Sequence, residues 1–246
     1  VHRYRFMISS ALRVETKHVR VITPDTGGGF GSRGHAGPEY AVLAWAAKKL
    51  GRPIKWTSTR SESFISDWQG RDMYMKGELG LSHQGRINAY KVQFLVNNGA
   101  HTICYAPSAN ASRLVTTAYN IPAASLELRI YLTTTLPVLP YRAAGRPETH
   151  YVLERLIDMA ASELKLDRKV MRVENLILKN QMPYTTAMGM TYDNCDFVKA
   201  FEEVAHLIGW DDFEKRRKVA KKIGKLRGIS IVPFIETPVG APFEMG

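Results

Sequence analysis

The sequence predicts a mixed α+β fold in which antiparallel hairpins pack together with helices. Residues 70–101 hold two segments that alternate apolar and polar residues, and the turn sequence HQGR separates them. Such alternation around a short turn is typical of a β-hairpin. Residues 150–166 and 196–210 instead repeat apolar residues at helical spacing. Both periodicities occur in one chain, and no segment repeats at a fixed interval, so a mixed architecture is expected.

The first sixty residues predict a strand, a loop, a helix and a second strand, which together resemble a βαβ unit. Residues 18–23 (HVRVIT) are typical of a buried strand. The predicted helix covers 38–51, where Pro38 suits the first turn and Gly51 suits a C-terminal stop. Residues 52–60 (RPIKWTSTR) predict the second strand.

The rest of the chain adds shorter elements after the hairpin. Residues 125–135 predict a strand, 170–180 a short helix and 228–237 a final strand. Residues 181–194 are polar and irregular, and this stretch is the best candidate for a domain boundary.

Composition and charge narrow the class of protein. Two cysteines in 246 residues make a disulfide framework or a structural zinc site unexpected. No apolar stretch approaches the roughly 20 residues that span a bilayer, and the start has no signal-peptide pattern, so a cytoplasmic location is expected. Both ends look cut, which predicts a piece of a longer chain. Much of the net charge of +11 lies in 214–228, which is expected to be a solvated helix face. A non-catalytic basic domain that binds nucleic acid is the alternative.

A glycine-rich loop, GGGFGSRG at 27–34, lies between the first predicted strand and the helix. Gly29, Gly31 and Gly34 form the pattern GxGxxG, which leaves an NAD(P)-binding oxidoreductase as one interpretation. The fit is imperfect because PDTG and a further glycine separate the strand from the first motif glycine. No Lys-Ser/Thr pair follows, which excludes a P-loop.

A second loop with small residues, YRAAGRP, begins at Tyr141. Arg142 and Arg146 bracket two alanines and a glycine, and Pro147 then opens a helix. The arginine guanidinium binds phosphate and oxo-anions well through several hydrogen bonds in a fixed geometry. The two loops together suggest a large anionic ligand that is held mainly by main-chain amides.

Five motifs in order carry a resemblance that covers essentially the whole chain. They are VRVITPDTGGGFGSR, GRPIKWTSTRSESF, YRAAGRPETHYVLERLIDMAASEL, RVENLI and GMTYDN. They resemble the molybdenum-binding large subunit of the xanthine dehydrogenase, aldehyde oxidase and aerobic carbon monoxide dehydrogenase family. The resemblance implies a first molybdopterin-binding domain at 1–180, truncated at its N-terminus. It also implies the start of a second such domain at 181–246, truncated at its C-terminus.

The same resemblance implies an oxidoreductase that uses water as its oxygen source. Its cofactor would be molybdopterin with molybdenum, in the cytosine dinucleotide form. Iron–sulfur clusters and FAD would lie on partner subunits that accept the electrons. The family's general base, a glutamate in a Gly-x-Gly-Glu context, is absent from this sequence. The resemblance therefore assigns no catalytic residue to this chain, which would be inactive by itself.

Residue roles follow from the matching motif positions. The glycine loop would present backbone amides to the metal and its dithiolene, while Arg142 would contact the cofactor together with the amides that follow it. Phe30 and Arg142 would lie close to molybdenum without being side-chain ligands. Arg146 and Glu148 are open to two interpretations, cofactor contact or a structural ion pair. The predicted cofactor-binding residues are Gly28, Gly29, Phe30, Gly31, Arg142, Ala143 and Ala144.

Three positions differ from the residues that known family members carry, and these differences narrow the expected substrate classes. Ala143 stands where copper-containing carbon monoxide dehydrogenases carry a cysteine, so no copper is expected. Ala144 and Gly34 stand where xanthine dehydrogenases carry a phenylalanine and a glutamate that contact a purine. Aldehydes and N-heterocycles are therefore the expected substrate classes.

Overall fold

The computed structural model describes residues 1–236, and the chain divides into two compact units. The first unit comprises Val1–Asp72, Asn97–Pro107 and Ile130–Ala144. The second comprises Met73–Val96, Ser108–Arg129 and Gly145–Gly246. The predicted domains, 1–180 and 181–246, stay a prediction, and residues 237–246 of the latter lie outside the described part.

Helices dominate the first unit. They are α1 (His2–Leu12), α2 (Pro38–Leu50) and α3 (Arg60–Ser66). Helices α1 and α2 meet through Tyr4 and Tyr40, whose rings contact edge to face with centroids 5.2 Å apart. The predicted helix at 38–51 is confirmed, with Pro38 in its first turn and Gly51 as a left-handed cap.

The two strands predicted for this unit are wrong. Neither 18–23 nor 52–60 forms a strand, and Arg60 begins α3 instead. A strand requires a hydrogen-bonded neighbour, and no described segment forms a ladder with these residues. Helix α3 forms where it does because Thr59 and Glu62 make a reciprocal capping box. The βαβ-like unit is therefore absent from the described chain.

The second unit is built on a three-stranded sheet. Its strands are β1 (Met73–Leu81), β2 (Ile87–Asn97) and β3 (Ala123–Tyr131), and β2 lies in the middle. β1 and β2 are antiparallel, with Met73 opposite Val96, and the turn between them holds Gly85 at a φ of 83°. The predicted hairpin is confirmed, and so is the predicted strand at 125–135, although it begins and ends earlier.

One long helix covers this sheet. Helix α5 (Arg146–Leu164) packs on β1 so closely that a Cβ on Gly77 would lie 2.6 Å from a Leu156 methyl carbon. Leu153 and Ile157 of α5 are fully buried with Phe94 of β2 in one apolar cluster. Other helices complete the described chain: α4 (Ala106–Arg113), α6 (Arg168–Val173), α7 (Phe197–Leu207) and α8 (Phe213–Lys222).

Helix α6 is joined to α5 by a buried polar network. The Arg172 guanidinium lies 2.8 Å from a Glu154 carboxylate oxygen and 2.9 Å from an Asp158 oxygen. The Tyr119 hydroxyl donates to the other Glu154 oxygen at 2.7 Å. Burial raises the pKa of Glu154, while the adjacent Arg172 charge opposes that shift. The ion pair therefore supports a charged Glu154 inside the unit.

Two later predictions need correction. Residues 181–194 are not wholly irregular, because β4 (Tyr184–Thr185) and β5 (Thr191–Tyr192) form a small antiparallel hairpin there. The predicted strand at 228–237 is absent from its described part, 228–236, and residue 237 lies outside the described chain. This segment instead follows α5, where the Ile235 amide donates to His150 Nε2 at 3.1 Å. No helix within residues 1–236 has the length and apolar character that crossing a bilayer requires.

Candidate cofactor-binding site

The glycine loop at 27–34 makes a sharp turn in the first unit. Gly28, Phe30 and Gly31 have φ values of 106°, 49° and 89°. Left-handed φ values are open to glycine at little cost and are unfavourable for other residues. The loop therefore needs glycine at Gly28 and Gly31 for its backbone path alone.

Gly31 is also fixed by a close neighbour. A Cβ at this position would lie 2.6 Å from the carbonyl oxygen of Pro140. Next to this contact, the Arg142 amide donates to the carbonyl oxygen of Phe30 at 2.8 Å. The two loops singled out from the sequence thus touch through their main chains, although they are far apart along the chain.

The other glycines of the loop face open space. A Cβ on Gly27 or Gly34 would meet nothing within 4 Å, and one on Gly29 would approach only the Arg33 Cβ, at 3.9 Å. Gly29 also lacks a left-handed φ. Neither packing nor backbone geometry within the described chain requires glycine at Gly29.

A run of backbone amides in this loop is unpaired. The N–H groups of Gly28, Gly29, Phe30 and Gly31 donate to no other residue in the 1–236 range. Successive amides on a backbone with alternating left-handed φ values form a concavity that attracts anions. The loop can therefore offer several donors to an oxo group without using a side chain.

Phe30 is held in an unfavourable conformation and still exposes its ring. Its left-handed φ costs about 1–2 kcal/mol for a residue with a Cβ, and 54% of the residue is exposed. Packing in the described chain does not cover the ring, which is therefore available to shield a ligand from water.

The loop at 141–145 presents a cationic side chain. The Arg142 side chain is exposed and has no hydrogen bond or ion pair with a residue of the described chain. Its own carbonyl and that of Tyr141 accept hydrogen bonds from Arg71, which also lies over the Tyr141 ring. Ala143 follows with a left-handed φ of 64°.

Arg71 shapes this site, and the sequence motifs do not reveal it. It sits in no motif, and its left-handed φ of 62° cannot be read from residue type. Arg146, which the motif does contain, is 6% exposed and lies 2.9 Å from Glu236 in an ion pair within the second unit. That partner favours the structural interpretation of Arg146 over direct cofactor contact.

These features fit a bulky anionic group with oxo ligands. Unpaired amides supply neutral donors, Arg142 supplies positive charge and Phe30 supplies an apolar wall. Gly29 leaves the space beside those amides clear of side chains. Among the described residues, no cluster of histidine, cysteine or acidic side chains is arranged to hold a metal ion directly.

Comparisons with known proteins agree with this chemistry. Residues 1–176 match the family described as the molybdopterin cofactor-binding domain. The chain is 31% identical to the carbon monoxide dehydrogenase large chain of Hydrogenophaga pseudoflava, over 99% of this chain and 31% of that one. It is 32% identical to subunit gamma of the 6-hydroxypseudooxynicotine dehydrogenase complex of Paenarthrobacter nicotinovorans, over 100% of this chain and 32% of that subunit.

A solved structure shares the fold as well. Quinoline 2-oxidoreductase from Pseudomonas putida 86 superposes with a TM-score of 0.84 at 25% identity, over 90% of this chain and 29% of that one. The chain thus spans about a third of the length of these relatives. The predicted mixed fold and the resemblance are both confirmed. The chain belongs to the molybdopterin cofactor-binding domain family of the molybdenum-dependent oxidoreductases.

Proposed function

We propose that this chain supplies the loops that hold molybdopterin and molybdenum in a hydroxylase for aldehydes or N-heterocycles. The observation that carries the proposal is the hydrogen bond from the Arg142 amide to the Phe30 carbonyl oxygen. It joins two loops whose anion-binding groups, several amides in one and the Arg142 guanidinium in the other, have no partner among residues 1–236. Either loop alone would be an ordinary turn, whereas together they form an anion site.

Each residue has a distinct role in this proposal. Gly28, Gly29, Phe30 and Gly31 direct amides at the oxo ligands, and the Phe30 ring excludes water. Arg142 balances the charge of the cofactor, and the Ala143 and Ala144 turn keeps side chains away from it. When bound, the molybdenum cofactor supplies the redox chemistry and transfers oxygen that originates from water. Phe30 and Arg142 lie near the metal without being its ligands.

Copper chemistry is not proposed for this chain. Ala143 carries no sulfur at the position where copper-containing carbon monoxide dehydrogenases have a cysteine, and Cu(I) prefers a soft thiolate ligand. One relative is a carbon monoxide dehydrogenase large chain, so metal analysis of the purified enzyme is informative here. We expect molybdenum without copper.

The substrate class follows from small side chains near the loops. Ala144 and Gly34 lack the aromatic face and the carboxylate that would bind a purine. The solved relative acts on quinoline, an N-heterocycle, which supports this class. The same proposal includes four further points. The cofactor has the cytosine dinucleotide form, and partner subunits carry iron–sulfur clusters and FAD. The protein is cytoplasmic, and the chain is inactive by itself.

Two matched alanine substitutions test the site in the assembled enzyme. Gly29→Ala adds a Cβ that the described chain accommodates, so lost function would report on the cofactor rather than on folding. We expect turnover of quinoline or benzaldehyde, followed by dye reduction, to fall about 100-fold, as it does when a transition-state donor is disturbed. Gly27→Ala, which also meets open space and to which no role is assigned, is the control and should stay near wild type. Equal turnover in both variants would contradict the assignment.

Composition of the purified enzyme separates the alternatives. Molybdenum and pterin should be present in about equal amounts, and bound nicotinamide would instead favour the NAD(P) interpretation of residues 29–34. The nucleic-acid interpretation depends on α8, where basic residues surround the exposed Val219. We expect only weak DNA binding that salt abolishes, whereas sequence preference would support that alternative.

A further inference from the structure

A second feature of the first unit is a cavity beside the glycine loop. Its volume is about 300 Å³, at the lower end of the range for small-molecule sites. It borders Ser32 and Arg33 of the loop and Tyr141 of the arginine-bearing segment. The cavity therefore lies next to the proposed cofactor contacts.

Flat aromatic faces and hydroxyl groups make up much of the wall. Trp56 and Trp68 join Tyr141 on the aromatic part, and Ser58 and Ser63 contribute hydroxyls. Aromatic walls favour flat ligands because ring faces and edges pack well against each other. Charges of both signs border the space, from Arg33, Glu39 and Asp67, so the wall does not select a net charge.

His35 is the unexplained residue of this wall. It is 8% exposed, and neither ring nitrogen has a hydrogen-bond partner within residues 1–236. A buried polar group without a partner costs about 1–3 kcal/mol. The backbone is nevertheless fixed, because the Tyr4 hydroxyl shares its proton between the carbonyl oxygens of Arg33 and His35, each at 3.0 Å.

The imidazole is suited to a neutral partner. Burial, with a smaller contribution from the Arg3 charge, lowers the pKa of His35. A neutral imidazole has one nitrogen that donates and one that accepts. The last torsion of a histidine side chain is broad, so no strong torsional preference opposes a ring rotation that turns a nitrogen toward the cavity.

We infer that this cavity binds a flat, uncharged N-heterocycle and that His35 determines specificity by hydrogen bonding to the ring nitrogen. The inference rests on the proposed function, since it assigns N-heterocycles to the same site. His35 acts in recognition and takes no part in the chemical step. The aromatic walls bind the ring faces, and the ring nitrogen supplies the partner that His35 lacks.

Binding of quinoline and naphthalene tests this inference directly. The two molecules have nearly the same shape, and only quinoline carries a ring nitrogen. Calorimetry on the assembled enzyme, without an electron acceptor, should show quinoline binding about 10-fold more tightly, as expected for one hydrogen bond. If the His35 nitrogens bind only water, the enzyme should bind the two molecules with equal affinity. That result, obtained with the wild-type enzyme alone, would overturn the inference.

Variants at His35 locate the effect. His35→Phe keeps a flat ring without donors, and should weaken quinoline binding about 10-fold while leaving naphthalene binding unchanged. His35→Gln keeps a donor and an acceptor and should retain most of the preference. Unchanged discrimination between the two molecules in a folded His35→Phe enzyme would refute the role of His35.

Molybdenum content separates this inference from the proposed function. Both His35 variants should keep wild-type molybdenum and pterin, and should change KM for quinoline more than kcat. An enzyme with full molybdenum but no quinoline preference contradicts the His35 inference alone. An enzyme that never contains molybdenum or pterin contradicts the proposed function itself.

Discussion

Replacing Gly31 with alanine tests the contact that joins the two loops. Gly31 has a φ of 89°, and a new Cβ would lie 2.6 Å from the Pro140 carbonyl oxygen. The left-handed backbone costs about 1–2 kcal/mol for alanine. Relief of the close contact costs about 1–3 kcal/mol more, because the backbone carbonyl must move. The total is large compared with the strength of one hydrogen bond, so the loops should separate.

Hydrogen exchange at the Arg142 amide measures this separation. That amide donates to the Phe30 carbonyl oxygen, so its protection reports the free energy of local opening. In the assembled enzyme, Gly31→Ala should remove about 2–5 kcal/mol of that protection, or all of it if less is present. Gly34→Ala adds the same atom in open space and should exchange as the wild type does. Wild-type exchange in the Gly31→Ala enzyme would refute the reasoning.

The remaining predictions concern buried groups of the second unit. Arg172→Met leaves the Glu154 carboxylate buried without its partner and should lower the free energy of unfolding in urea by about 3–5 kcal/mol. Adding Glu154→Gln to that variant should restore part of the loss, and no restoration would contradict the ion-pair explanation. Burial lowers the pKa of His150 below 6.5. The unfolded chain therefore takes up a proton first as pH falls below about 6.5. The free energy of unfolding should therefore be highest above this pH and should decrease as the pH falls toward the lowered pKa of His150 in the folded chain. His150→Gln should remove this pH dependence, which urea unfolding between pH 7.5 and 5 measures.

The spacing of apolar residues correctly predicted those helices and strands whose local sequence pattern agrees with their surroundings in the fold. The hairpin of β1 and β2 was predictable because alternation agrees with one buried face and the turn holds Gly85. Helix α2 was predictable from its ends, Pro38 and Gly51, although none of its residues is buried. In these cases local sequence and tertiary structure favour the same conformation.

The predicted strands fail for a different reason. An apolar run indicates that a segment favours burial, and it does not say whether another strand lies alongside. Ile22 is 71% exposed and Trp56 is 44% exposed, so these two apolar side chains are largely uncovered within the described chain. Pairing depends on distant partners, which a local pattern cannot contain.

The sequence predicted which loops form the site, but it did not predict which atoms of those loops are in contact. The motifs identified the loops around Phe30 and Arg142, and the structure brings these loops together. They did not predict that Gly31 is required by Pro140, because a sequence does not show which atom comes near a glycine. Arg71 and His35 were missed for the same reason, since their importance arises from neighbours that folding alone supplies.

The way Arg71 holds the neighbouring turn has an evolutionary consequence. The carbonyls of Tyr141 and Arg142 are occupied by Arg71, and the Arg142 amide is occupied by Phe30. The course of the turn is therefore set by atoms that every amino acid possesses. Ala143 can then be exchanged for another residue that tolerates its φ of 64° without redirecting the main chain, whereas the buried Ala144 leaves little room for a larger side chain. Descendants of one ancestral scaffold can in this way acquire new chemistries by changing a single codon.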